Sequence, residues 1–370
     1  MNKRIYFLDS MRAILMMLGV VLHSAQVFNP KQGWIIYSSE TIPMTETLVN
    51  IIHLFRMPAF FIVSGYFAVF TLRKYGVGKF LKVRILRILI PLLITAITLN
   101  SLQTYLLTKT GWIEFEPLSY LVDGGWVSHL WFLINLIIYF LLLSIGFKLF
   151  KTIFKKINFA IDKIYTNTNI VTILFIMTVF TIFLLAIVNI ISKFIHIDGI
   201  ISLNSIAYYI SFFIFGIFIY LNKELQNKFI QMSPWITISV VIFSLLLNDY
   251  FSTFEGKIYK VLYLFFEITA KYYISALCFY LFYTYTDKKV RIFQFLSDAS
   301  YSVYLFHHVL VIGIGLFVIN LDINKYIAFP ILLVSVALIS MAIHYYFISR
   351  INYLSLLFNG KWLKGKKLKI

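Results

Sequence analysis

The sequence predicts an all-α, polytopic membrane helix bundle of about ten transmembrane helices with both termini cytoplasmic. Of its 370 residues 61% are apolar, and the mean hydropathy is +0.86. Apolar stretches of about twenty residues, the length that crosses ~30 Å of hydrocarbon, recur along the whole chain. Lys and Arg crowd alternate connecting segments, as orientation signals do.

The expected spans lie near 8–28, 48–71, 86–107, 130–150, 170–192, 205–221, 235–251, 260–284, 299–319 and 327–348. The first follows MNKRIYF and imitates a secretory signal. It is too long and lacks a convincing cleavage site, so a retained signal-anchor helix is expected. With the N-terminus inside, the cytoplasmic segments hold Lys3 and Arg4, the basic run Arg73 to Arg87, the loop Lys148 to Lys163, Lys223 and Lys228, Lys288 to Arg291, and Arg350 to Lys369. The outer segments hold only Lys31, Lys109, Lys193, Lys257, Lys260 and Lys325. This distribution turns the net charge of +18 into a contact with anionic lipid and argues against a nucleic-acid partner. A single cysteine, Cys278, gives no disulfide framework. No internal repeat and no pair of Gly/Pro-broken spans marks an inverted-repeat transporter. One domain, residues 1–370, without an appended soluble domain is expected.

Ionisable groups at bilayer depth are costly, so each such residue is a candidate for function. In the first span Asp9 and Arg12 are spaced i, i+3 and can pair near the inner boundary. His23 follows Arg12 by eleven residues, about 1100° of rotation and a rise of ~16 Å, so the two share a face at different depths. His23 reads either as a hydrogen-bonded core residue or as a catalytic one. The second span, HLFRMPAFFIVSGYF, sets His53 and Arg56 on one face in its outer portion; Pro58 is expected to kink the helix, and Ser64 and Gly65 to permit close approach. Arg56 either binds an anionic group in an outward cavity or snorkels to headgroups. In KFLKVRILRILIP, Arg84 and Arg87 are three apart on one helix face, which suits either a phosphate clamp or a positive-inside stop signal. SHLWFL places His129 at the outer boundary of the fourth span beside Trp126 and Trp131. Glu267 and Lys271, at i and i+4, are expected to neutralise one another. His307 and His308 lie at mid-depth of the ninth span above Tyr301 and Tyr304, and one of the two histidines is expected to be structural. The histidines lack HxxxH spacing and carboxylates are sparse, so no metal set is expected; no GxSxG or Walker loop supports a serine hydrolase or an ATPase.

Six blocks in order, YFLDSMRAILMMLGVVLH, HLFRMPAFFIVSGYF, KVRILRILIP, SHLWFL, ASYSVYLFHH and LLFNGK, resemble the acyltransferase-3 family of membrane acyl-CoA-dependent transferases. Within that family they are most similar to the succinyltransferases that decorate osmoregulated periplasmic glucans. The resemblance implies a ten-helix inner-membrane enzyme that carries an acyl group from cytoplasmic acyl-CoA, with succinyl-CoA the expected co-substrate and no permanently bound cofactor, to a hydroxyl of a periplasmic glucan. His23 then matches the family's catalytic histidine, Arg84 and Arg87 the motif holding the CoA phosphates, and Arg12 the donor path. His53, His129, His307 and His308 become candidates to support the oxyanion, and Arg56 to hold the free carboxylate of a succinyl group. Transfer of acetyl or another acyl group to a different envelope glycan or lipid-linked sugar is the nearest alternative. A secondary transporter of an organic anion is the alternative from another class. Direct transfer and a covalent acyl-enzyme both remain open, as does a homodimer.

Overall fold

The structure, a computed structural model, describes residues 5–149, 167–193, 199–321 and 323–363. Most of the loop Lys148 to Lys163, together with Lys3, Arg4 and the chain after residue 363, lies outside the described residues. The described residues form helices and no strand. Helix α1 spans Tyr6–Val27, and α2 spans Pro43–Thr95 and runs through a π-helical turn, Ala96–Asn100, into α3, Ser101–Lys109. After α4 (Pro117–Val122), a 3-10 turn at Ser128–Leu130 leads into α5 (Trp131–Leu149). Then come α6 (Ile170–Ile191), α7 (Leu203–Leu221), α8 (Lys223–Ile230), α9 (Pro234–Ser252) and α10 (Lys257–Thr286). The last are α11 (Arg291–Val318), α12 (Lys325–Ala342) with a π-helical tail Ile343–Ile348, and α13 (Asn352–Asn359).

Among the described residues, nine continuous helical stretches are long and apolar enough to cross a membrane, and one of them runs 67 residues from Pro43 to Lys109. That stretch contains two of the ten expected spans. Its break is at Gly76, where φ is +74° and ψ 168°. Only glycine takes such a backbone at little cost. The turn it makes is sharp, because Arg84 Nη2 donates to Phe67 O at 3.0 Å and to Thr71 Oγ1 at 2.8 Å. In a straight helix those partners would lie ~20–25 Å away. Pro58 keeps a helical backbone, and the chain reverses eighteen residues later at a residue without a side chain.

The two arms of α2 pack against α1, α5 and α7, while α11 lies along α1. At the crossing of α2 and α7 two glycines meet. A Cβ on Gly65 would lie 2.0 Å from Phe213 O, and one on Gly216 would lie 1.9 Å from Ile62 O. The helices touch backbone to backbone there, as small residues allow in membranes. The opposite sides of the outer helices are apolar and exposed, for example Trp235 and Leu246 on α9 and Leu338 on α12, which is the composition lipid requires.

Candidate active site

Where α1 and α11 begin and the second arm of α2 leaves Gly76, a cavity of about 160 Å³ is lined by Arg12, Arg84, Arg87 and Lys361, with Ser297, Asp298 and Tyr301. Arg84 is held from the facing arm by the Phe67 carbonyl and Thr71, and its guanidinium lies 5.7 Å from the Phe80 ring and 5.2 Å from the Phe140 ring. Arg12 pairs with Asp9 at 3.6 Å, as its spacing suggests, and donates to Ser297 Oγ at 3.4 Å. Lys361 comes from the far end of the chain. Gly360 turns it into the cavity at φ +57°, where a Cβ would lie 2.3 Å from Leu86 O. Ser302 on α11 fixes the preceding helix by donating to Asn359 Oδ1 at 3.0 Å, and its Oγ lies 2.9 Å from His344 Nδ1. Burial, with the nearby Arg87 charge, holds the Lys361 ammonium below the usual lysine range. Four cations against one carboxylate make a receptor for a multiply charged anion, and the guanidiniums suit phosphate.

Met16, Phe60 and Phe132 form the inner wall of this cavity and also line a second, much smaller one of about 20 Å³, together with Leu15, Arg56, Met57 and Tyr304. These apolar side chains are therefore the layer between the cationic end and Arg56. Beyond it four imidazoles gather from three parts of the chain. The His23 ring centroid lies 5.3 Å from that of His307 and 4.9 Å from that of His308, and His129 stacks on His308 at 4.5 Å. Tyr304 O–H donates to His129 O at 2.6 Å and ties the α5 entrance to α11. A Cβ on Gly19 would lie 3.2 Å from both Arg56 Nη1 and His307 Nε2, so these two atoms converge on bare α1 backbone.

Gln26 Oε1 lies 2.8 Å from His23 Nδ1, and with the amide in this orientation the bonded tautomer carries its proton on Nδ1 and a lone pair on Nε2. His308 Nδ1 donates in the same way to Gln103 Oε1 at 2.7 Å, and His307 Nδ1 to Tyr304 O at 2.6 Å. Arg56 Nη1, His307 Nε2 and both ring nitrogens of His129 are buried and make no hydrogen bond among the described residues. Such orphaned polar atoms are costly and mark a place prepared for something else. Of the four rings, His129, His307 and His308 are buried and His23 is partly buried, the least enclosed of the four. Trp34, from the loop after α1, stacks on it at 5.4 Å. Among the described residues no three His, Cys, Asp or Glu side chains are arranged to hold a metal ion.

The backbone around the cluster is irregular where it must be. The π-helical turn at Ala96–Asn100 advances α3 so that Gln103 meets His308, and Asn100 Nδ2 donates to Trp126 O at 2.7 Å, pinning the segment that carries His129. Ser128 sits at φ +45°, an uncommon state for a residue with a side chain, directly before His129. His129 is therefore drawn into the bundle rather than left at its boundary.

The structure thus brings Arg12, Arg84 and Arg87 together at one end, and His23, His129, His307, His308 and Arg56 together at the other. Both adjacent histidines of α11 join the cluster. His53 does not; it is exposed on α2, with Arg56 and Lys271 as its charged neighbours. Glu267 and Lys271 pair with each other, as their spacing suggests, and share Tyr208. The sequence reading missed Gln26, Gln103, Trp34 and, as a pocket residue, Lys361. A glutamine inside an apolar span was the available signal for Gln103.

A family profile described as an acyltransferase domain matches residues 5–348. The chain belongs to this acyltransferase family. It is similar over 97% of its length to proteins named glucans biosynthesis protein C: 27% identical over 376 residues to that of Salmonella heidelberg strain SL476, and 26% over 375 residues to that of Salmonella schwarzengrund strain CVM19633, covering 95% of each. No solved structure matches it. The membrane acyltransferase identified in this way is a multi-pass helix bundle whose matched region contains every cluster residue and all of the cationic pocket except Asn359 and Lys361.

Proposed function

We propose that this acyltransferase takes an acyl group, succinyl by preference, from acyl-CoA held at the cationic pocket and transfers it to a hydroxyl of a glucan at the opposite side of the membrane, with His23 as general base. The observation that carries the reading is the continuous line of side chains from four cations, through the Met16/Phe60/Phe132 layer, to a histidine whose free nitrogen is Nε2. The helical rise of ~16 Å from Arg12 to His23 is the span a pantetheine arm must cover when its phosphates stay at the cations. The excess of Lys and Arg in alternate loops supports a cytoplasmic position for the cationic end, where acyl-CoA resides, in a chain that we assign to the inner membrane.

In this mechanism His23 Nε2 takes the proton of the attacking sugar hydroxyl while that oxygen adds to the thioester carbonyl. The imidazolium then gives the proton to the departing CoA thiolate. Gln26 keeps Nδ1 protonated throughout and so keeps Nε2 pointed at its work. His307 and His308, both donating through Nδ1, present only lone pairs at Nε2 and are poor oxyanion donors in the neutral form. That leaves His129, with an N–H to offer in either tautomer, for the oxyanion, and Arg56 Nη1 for the free carboxylate of succinate.

The test is to incubate the detergent-purified protein with succinyl-CoA and a β-glucan, following thiol release and glucan mass for wild type and His23→Ala. The expected result is a mass gain of one succinyl group that disappears in the variant. Absence of thiol release with every short acyl-CoA tried would contradict the proposal and favour transport of an organic anion.

A further inference from the structure

A larger cavity, about 710 Å³, opens between α6, α7 and α10 at the end of the bundle opposite the cationic pocket. Its size is that of a ligand site, for which ~300–1,000 Å³ is usual. Lys257 and Lys260 stand at its mouth and Lys271 lies deep, fourteen residues or ~21 Å further along α10. One wall, Ile182, Leu185 and Ala186 of α6, is apolar; the floor is the Glu267–Lys271 pair on the Tyr208 hydroxyl.

Two features say what such a cavity takes. The deep end holds the Glu267–Lys271 pair, so a lipid lying with its headgroup at Lys257 and Lys260 would drive its acyl chain onto a partly buried ion pair, an expensive arrangement. The floor and facing wall carry instead flat aromatic rings, Tyr208 and Tyr209, beside the amide of Asn204, the hydroxyl of Ser205 and the Glu267 carboxylate, whose contacts both fall on Oε1 and leave Oε2 available. Rings for the apolar face of a pyranose and mixed donors and acceptors for its hydroxyls are the chemistry of saccharide recognition. A single layer separates this cavity from the histidines. Tyr209 lies within electrostatic reach of both Glu267 and Arg56 and packs 5.4 Å from Trp131, two residues from His129. Asn135 on α5 donates to Ser205 Oγ at 3.0 Å across the same wall.

We infer that this cavity is a saccharide subsite that anchors the acceptor glucan at sugars remote from the hydroxyl being acylated. The inference rests on the acceptor being a glucan, and binding measured without chemistry separates the two. Fluorescence anisotropy of an end-labelled linear β-glucan hexasaccharide would be titrated with the intact protein in detergent, for wild type, Ala186→Trp, Glu267→Gln and His23→Ala. Ala186→Trp fills the cavity from its apolar wall, and Glu267→Gln keeps the shape of the floor. Both should weaken binding about tenfold. His23→Ala should bind as wild type. The folding control is His23-dependent hydrolysis of acyl-CoA without glucan, in which water takes the acyl group and CoA leaves as the thiol, and which both cavity variants should retain. Unchanged glucan affinity in both variants, no binding by wild type, or a cavity effect that appears only as loss of anionic phospholipid binding would overturn the inference. Cavity-dependent glucan binding by a protein that transfers no acyl group would instead uphold the subsite and sink the transferase reading.

Discussion

The two ends of the proposed donor path differ in how far their polar groups are engaged, although Arg84 Nε and the Tyr301 hydroxyl at the cationic end are also buried without a hydrogen bond among the described residues. At the cationic end Arg84 is braced by a carbonyl and a hydroxyl, and Arg12 by a carboxylate and a hydroxyl. At the histidine end Arg56 Nη1, His307 Nε2 and both nitrogens of His129 are buried with no hydrogen bond. A binding pocket needs its charges held at fixed positions and can share them with the protein before the ligand arrives. A reaction centre needs polar atoms unspent, because a donor already engaged has little to give to a developing charge. The cost of leaving them unsatisfied falls on stability, and the close packing around Gly19, Gly65 and Gly216 offsets it.

That contrast can be broken by substitution. The largest effect is expected at the least enclosed ring: His23→Ala should lower kcat for acyl transfer by ~10²–10⁴ with little change in KM for acyl-CoA, read by thiol release under steady state. Next, Arg56→Ala should reduce kcat/KM for succinyl-CoA by ~10–100-fold while sparing acetyl-CoA, because only the succinyl group brings a free carboxylate to the orphaned Nη1. Equal losses with both donors would move Arg56 from specificity to general support. Gln26→Leu should cost about tenfold in kcat, whereas Gln26→Glu, which still accepts from Nδ1, should restore most of the rate.

The smallest effect concerns pH at the other end. Burial lowers the Lys361 ammonium from the usual lysine range, so its positive charge is fully present below that lowered value and is lost as pH rises through it. KM for acyl-CoA should therefore climb about threefold at alkaline pH, and Lys361→Arg, which stays charged, should flatten the climb. A wild-type KM that is flat across that range would remove Lys361 from the donor pocket.

Much of this was legible before any coordinates. Charges in lipid are rare because they are expensive, so Arg12, His23, Arg56, Arg84 and the paired histidines of α11 stood out, and their spacing placed Arg12 and His23 on one face. What the sequence hid is what depends on contacts between distant segments. Gln103 reaches His308 across 205 residues, and Lys361 enters its cavity from near the end of the chain. His53 shows the limit of spacing arguments: i, i+3 neighbours are ~60° apart around a helix, and the boundary between the cluster and the exposed surface falls within that angle. The reversal inside α2 falls between the expected spans 48–71 and 86–107, in the basic segment expected to connect them. Pro58 removes a donor but its φ is still helical, whereas Gly76 alone permits the positive φ that turns the chain.

The most direct test of this division of labour is the affinity of acyl-CoA for His23→Ala and Arg84→Ala, measured by calorimetry on the purified protein. The account expects His23→Ala to bind as tightly as wild type and Arg84→Ala to bind ~10–100-fold more weakly, the loss of a charge-assisted phosphate contact. Weakened binding by His23→Ala together with unchanged binding by Arg84→Ala would contradict it, because the donor would then be held at the histidines and not at the cationic end.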